Sequence, residues 1–192
     1  LLSATSWNCA ASFAGNEAVI VRYERELRRM AEESGAVDAS VLGADHTSHA
    51  LARIREFAPI ALESSSPATT IVKIGVPPAR MKEILEAAAD AAEADSLPWA
   101  ALARGVGVIY FALLPQECSE EARLGATRTT GEILAASSAL GGHATIPWCP
   151  DEWKSALAVW GLARGDFSAM ENVKKAFDPR GVFSPGRFVG GL

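Results

Sequence analysis

The stretch "TTIVKIGVPPARMKEILEAAADAAEADS" runs from Thr69 to Ser96. It opens on Thr, Ile and Val, residue types that suit a pleated, half-buried surface. The two prolines that follow mark a turn, and proline at a helix start gives up an N–H that has no partner there anyway. The Ala-rich body beyond them has high helix propensity. A strand, a sharp turn and a helix are therefore predicted in that order, preceded by the polar loop "ESSSPATT" (Glu63–Thr70).

Downstream, "WAALARG" and "GVIYFALL" read as two strands around Gly105, the second ending at Pro115. "SEEARLGATRTTGEILAASSALGG" fits a helix with an acidic start and glycines at its end, and "HATIPW" a short last strand. Upstream, "TSWNCAASFAG" (Thr5–Gly15) is predicted as a strand closed by glycine. The next run, "NEAVIVRYERELRRMAEESG", is a helix capped by Asn16 and stopped by Gly35, with Val19, Tyr23, Leu27 and Met30 at helical spacing. Its exposed side offers Glu24–Arg28 and Arg22–Glu26 pairs. "SVLGA" is a further candidate strand, and "HTSHALARIREFAP" a helix ending before Pro59. Pro150–Gly161 and Phe167–Phe177 are expected to be helical.

A strand–turn–helix order thus occurs twice, with hairpin-like strands between. This fits an α+β layer: a ferredoxin-like antiparallel sheet with helices on one face, followed by C-terminal helices and a docked tail. A doubly wound parallel sheet fits less well, because strands and helices do not alternate strictly. The whole of residues 1–192 reads as one domain. The chain begins Leu1-Leu2-Ser3 without an initiator Met, so it is expected to be a piece of a longer protein.

The balance of the sequence is ordinary for a packed globular chain, with 49% apolar and 21% charged residues. Eighteen Lys and Arg against 23 Asp and Glu leave a net charge of -5, with no dense basic run. That argues against nucleic acid and against an anionic membrane surface. No apolar run is long enough for a membrane span and no signal peptide is evident. Cys9, Cys118 and Cys149 are far apart and fit reduced intracellular thiols, so a cytoplasmic location is expected.

Few motifs carry chemistry. Gly105 and Gly107 lack the third glycine and the following helix of a dinucleotide loop, and instead suit a backbone that is closely approached. His46 and His49 have no clear partner set, and no metal site is expected. His143 follows Gly141-Gly142, where a tight turn delivers it to a sheet edge. It is either a hydrogen-bonded structural histidine or an acid–base group. Lys73 and Arg104 each interrupt an apolar strand; such a charge either faces solvent by alternation or serves an anion. Trp148, Trp153 and Trp160 suit core or interface packing.

The end of the chain, "VKKAFDPRGVFSPGRFVGGL", is dense in turns. Asp178-Pro179 stops a helix, Val182 and Phe183 can plug an apolar hole, and Pro185-Gly186 aims Arg187 in a fixed direction. Phe183 and Phe188 would dock such a tail on the core.

"KKAFDPRGVFSPGRFV" resembles the C-terminal signature of FAD-linked oxidases of the vanillyl-alcohol oxidase type, and is most similar to the FAD-binding subunit of glycolate oxidase. The stretches "FAGNEAVIVRYERELRRMAEESGA", "IVKIGVPPARMKEIL", "GVGVIYFAL" and "GGHATIPWCPDEWKSALAVWG" agree with it. The resemblance implies a cap, or substrate, domain whose N-terminal FAD domain lies elsewhere in the same chain. It implies FAD as cofactor, a small 2-hydroxy acid such as glycolate as substrate, and other glycolate oxidase-type subunits as partners. Ser184, Pro185, Gly186 and Arg187 would face the flavin, His143 would act as base and Arg104 would anchor the carboxylate. Ser184 departs from the family's usual Asn before Pro-Gly. The histidine pair that holds a metal in related 2-hydroxy-acid dehydrogenases is absent. By this reading the 192-residue piece alone would be colourless and inactive. The other reading is a stand-alone ferredoxin-like binding module without catalysis.

Overall fold

The computed structural model describes residues 7–64, 67–163 and 165–191. The chain divides between Leu51 and Ala52 into two units, each taken by itself below.

In the second unit the β-branched run of Thr69–Val76 forms β1 (Thr70–Gly75). After a 3₁₀ turn at Pro78–Arg80 come α4 (Met81–Ala94), β2 (Trp99–Arg104), β3 (Val108–Leu113), α5 (Glu120–Ala139) and β4 (His143–Trp148). The strands lie in the order β2-β3-β1-β4, and every neighbouring pair is antiparallel. That is the ferredoxin-like β-α-β-β-α-β layer expected from the sequence. β1 and β2 are parallel to each other with β3 between them, and β3 and β4 with β1 between them, which is why each pair needs a helical crossover.

Strand alternation sends one set of side chains under the helices. Val72, Ile74, Ile109, Phe111 and Leu113 are buried against Ile84, Ala88, Ala92, Ala126 and Ile133 of α4 and α5. Small residues on the helices allow close approach, and each large side chain so buried stabilises the fold by about 1.5–3 kcal/mol. Trp99 stacks on Phe111 with ring centroids 5.1 Å apart, closing the β2 end of this layer. Asp95, the residue after α4, accepts from Thr129 Oγ1 (3.0 Å) and Arg128 Nε (2.9 Å), tying that helix end to α5.

The other face of the sheet is only half covered. A short helix, α3 (Phe57–Ser64), packs Ala58 and Ala61 on Ile71 and Ala112, with Phe57 and Tyr110 beside them. The sequence predicts a helix ending before Pro59; instead the break falls at Glu56, and Pro59 sits in the first turn of α3, where its missing N–H is no loss.

In the first unit, α1 (Glu17–Glu33) is capped as expected: Asn16 Oδ1 accepts from Val19 N at 3.1 Å. Gly35 and Ala36 close its end by bonding Glu32 O and Ala31 O. Both expected ion pairs form, Arg22–Glu26 at 2.8 Å and Arg28–Glu24 at 3.0 Å. No residue of α1 is buried. Two expected strands do not form. Residues 7–15 hold no regular structure, in keeping with the absence of any β-branched residue among them, while Thr5 and Ser6 lie outside the described residues. "SVLGA" is irregular up to Gly43 and then enters α2 (Ala44–Arg55), where the Thr47 hydroxyl donates to Leu42 O and Gly43 O.

The helix expected at Pro150–Gly161 is also replaced, by a single 3₁₀ turn at Asp151–Trp153 followed by turns. Trp153 (3% exposed) and Leu157 fill the core, and Val159 O accepts from Ile146 N at 2.8 Å. The segment therefore returns to β4 and covers part of its open edge with one backbone hydrogen bond. The last helix, α6 (Phe167–Phe177), matches its expected bounds.

Candidate functional site

The register sets out the uncovered half of the sheet as two rungs. Across β4, β1, β3 and β2 the first rung reads Thr145, Lys73, Tyr110 and Leu102; the second reads His143, Gly75, Val108 and Arg104. All of them project from the face opposite α4 and α5, because Val72, Ile74, Ile109 and Phe111 take the other face. In a chain of net charge -5, the four strands contain no Asp or Glu at all. Lys73 and Arg104 are their only charged residues, and both fall on this one face. Neither forms an ion pair among the described residues.

The two cations reach Tyr110 from the strands on either side of β3. Lys73 Nζ and Arg104 Cζ each lie 6.0 Å from the centre of its ring. Cations at that distance are weakly attracted to the ring, by about 0.5–1 kcal/mol at an exposed site.

His143 reaches this face because of how α5 ends. Gly141, at φ 74, and Gly142 donate to Ser138 O and Ser137 O, turning the chain directly into β4. The His143 ring then lies over Gly75: a Cβ there would stand 3.2 Å from His143 Cε1. Glycine at 75 therefore makes room for the imidazole.

Strand alternation brings His143 and Arg104 to the same face and the same rung, but not together. They stand on the two edge strands, three strand spacings apart, or about 14 Å between backbones. Lys73, on the strand next to β4, is much nearer His143. Sequence reasoning considered Lys73 without selecting it and passed over Tyr110. The signal for both was present: a cation and a phenol interrupting apolar runs, each on the alternate positions left free by the core.

The second candidate region is the terminal corner. Asp178 caps α6 and is buried (7% exposed). Its carboxylate accepts from Lys174 Nζ at 2.7 Å and from Val182 N and Phe183 N at 2.9 Å each. Lys174 also donates to Phe183 O at 2.7 Å. The Lys174 ammonium and the two backbone N–H groups hold the Asp178 carboxyl down to about 2, against an ordinary 3.8.

Beyond this ring, Ser184 takes φ 46, Gly186 takes φ 72, and Arg187 N donates to Ser184 O at 3.2 Å. Proline at the second position and a positive-φ glycine at the third are the marks of a type II turn. Its far end is held by Trp160, whose Nε1 donates to Arg187 O at 3.0 Å while Phe188 meets the indole edge-on. The expected docking is therefore made through Phe188. Phe183 does not plug a hole: it is 69% exposed, beside a groove of about 880 Å³ lined by Met170, Val173, Phe177 and Phe188. Trp153 takes the expected core position, whereas Trp148 and Trp160 are about half exposed.

Ser184, Gly186 and Arg187 are all exposed, and the Arg187 guanidinium forms no ion pair among the described residues. A hydroxyl, a turn backbone without a Cβ and a planar, permanent cation make a donor set suited to a flat or anionic group such as a flavin nucleotide. Elsewhere, Cys9, Cys118 and Cys149 carry free thiols, and partial burial pushes the Cys149 thiol up. No three His, Cys, Asp or Glu among the described residues come together as a metal site. No helix among them is long and apolar enough to cross a membrane.

Compared with known families, the chain matches the model of the C-terminal domain of FAD linked oxidases over residues 3–145 and 160–188. A comparison with curated proteins found no match.

Proposed function

The chain belongs to the family of FAD linked oxidase C-terminal domains, and on that premise we propose that it is the cap domain of a glycolate oxidase-like enzyme that oxidises a small 2-hydroxy acid. FAD is the cofactor of the full-length protein. In this reading residues 1–192 form the cap, and an FAD-binding domain belongs to the same natural chain. Hydride acceptance is the chemistry that FAD supplies when bound.

The remaining work falls to this chain. The corner would hold the cofactor through Ser184 Oγ, the Gly186 backbone and the Arg187 guanidinium, with Pro185 fixing the turn. The half-covered sheet face would close the substrate side and keep water out. Arg104 would draw the anion to this face, Lys73 on the strand beside β4 would hold its carboxylate on the His143 side, and a ring nitrogen of His143 would take the proton of the hydroxyl as the carbon is oxidised. The observation that supports the acid substrate is the sheet face without carboxylates, where unpaired cations and an imidazole share one surface.

Anaerobic mixing of the full-length flavoprotein with glycolate, and with lactate, tests this. Bleaching of the flavin band is expected with at least one of them, slowed by Arg104→Met and by His143→Asn. A flavin that stays oxidised with every small 2-hydroxy acid would remove the substrate assignment.

A further inference from the structure

The segment Pro150–Gly161, where the sequence predicts a helix, ends in a strap that ties the terminal corner to β4. Val159 O accepts from Ile146 N at 2.8 Å. Gly161, at φ 78, lies so close to the strand that a Cβ there would fall 2.1 Å from Ala144 O. Between these two points Trp160 donates its Nε1–H to Arg187 O at 3.0 Å, and Phe188 meets the indole edge-on with ring centroids 5.0 Å apart. Residues 146–159, which lead into this strap, fall between the two blocks matched to the family.

From these contacts we infer that Trp160 is a positioning residue, holding the Ser184–Arg187 turn in fixed relation to the strand that carries His143. Its role toward the flavin rests on the reading above that this corner holds the cofactor; the tie itself does not.

The turn needs a second tie. The Asp178 ring fixes its entry but ends at Phe183. The bond from Arg187 N to Ser184 O closes the turn on itself and joins it to nothing else. Ser184, a residue with a Cβ at φ 46, is also in a conformation that persists only where its surroundings enforce it. A turn pinned at its entry alone can swing as a body. Pinned at both ends, it presents the Arg187 guanidinium from a fixed origin, and less ordering is left to be done on binding.

The residue types suit this task. An indole N–H donates and cannot accept, so it matches a carbonyl, and the flat ring gives Phe188 an edge-to-face partner. Any side chain at 161 would push the strap off Ala144 and carry Trp160 with it. Ala144 directly follows His143 at the start of β4. The path from imidazole to guanidinium thus runs from His143 and Ala144 across to Gly161 and Trp160, and from there to Arg187.

The test measures the FAD affinity of the full-length apoprotein and the midpoint potential of the flavin once bound. The variants are Trp160→Phe, Trp160→Ala, Arg187→Ala and the Trp160→Ala/Arg187→Ala double. Trp160→Phe keeps a ring against Phe188 and removes only the N–H; it is expected to weaken FAD binding about fivefold, as one lost hydrogen bond implies. Trp160→Ala should weaken it further. Both should move the potential in the same direction as Arg187→Ala, while the apoprotein melts near the parent temperature. A residue that acts through Arg187 has less to lose once that side chain is gone, so the double variant should fall clearly short of the sum of the singles. Trp148→Phe, at the opposite end of β4 from His143, should change neither quantity. Parental affinity and potential in both Trp160 variants, beside an Arg187→Ala that changes both, would overturn the positioning role and leave the corner against the flavin. Full additivity of the Trp160→Ala and Arg187→Ala losses would overturn it as well. An Arg187→Ala variant with parental affinity and potential would remove the corner from the flavin, and the role of Trp160 with it.

Discussion

Asp178 shows how one buried carboxylate can shape a turn several residues away. Three donors converge on it, and with Lys174 bridging to Phe183 O they close the chain from 178 to 183 into a ring. Ser184 enters its left-handed conformation directly after that ring, so the corner starts from a fixed point. The native state prefers the ionised carboxyl. The stabilisation it brings is therefore complete above the ordinary carboxylate pKa and is lost as pH falls from about 4 to about 2. Asp178→Asn is expected to unfold at lower temperature than the parent at pH 7, to lose the acid-dependent part of the melting curve in that window, and to exchange the Val182 and Phe183 amides faster. Parallel melting curves for parent and variant from pH 5 to pH 2 would show that the ring contributes nothing.

At the scale of elements, the β2–β3 hairpin explains why glycine stands at 107. Its φ is 90, Val76 N donates to Gly107 O at 2.9 Å, and a Cβ there would fall 2.0 Å from Val76 O. This contact fastens the hairpin to the end of β1 and holds Arg104 at the head of the second rung. Gly107→Ala is expected to cost about 2–3 kcal/mol. Gly131→Ala, on an open stretch of α5, should instead stabilise by about 0.5–1 kcal/mol. Urea unfolding midpoints moving the same way for both variants would contradict this reading. The hairpin, α4 and α5 were legible in the sequence because each combines a local period with its own turn or cap. The misread segments had no such agreement. Residues 7–15 are apolar but lack β-branched side chains, and Pro150–Gly161 looks amphipathic yet is used as an edge cover for β4. Nor could local sequence show that Lys73, Tyr110 and Arg104 are neighbours, since their meeting depends on a register set by the whole sheet.

For the molecule as a whole, the ferredoxin-like layer divides its labour by face. One face buries the core under α4 and α5; the other is half roofed by α3 and carries cations, a phenol and an imidazole. The terminal corner is a separate device, pinned by Asp178 and Trp160. Its sequence could be read as a chain of turns, but the ring that orders them could not, because it joins groups through a side chain rather than through backbone pattern. In the proposed enzyme the corner meets the cofactor while the sheet face meets the acid. The direct measurement is the ratio of flavin to protein in the purified full-length protein, compared with its Arg187→Ala variant. A clear loss of bound flavin in a variant with unchanged folding is expected. Full flavin content together with full turnover would contradict the placement of this corner against the flavin.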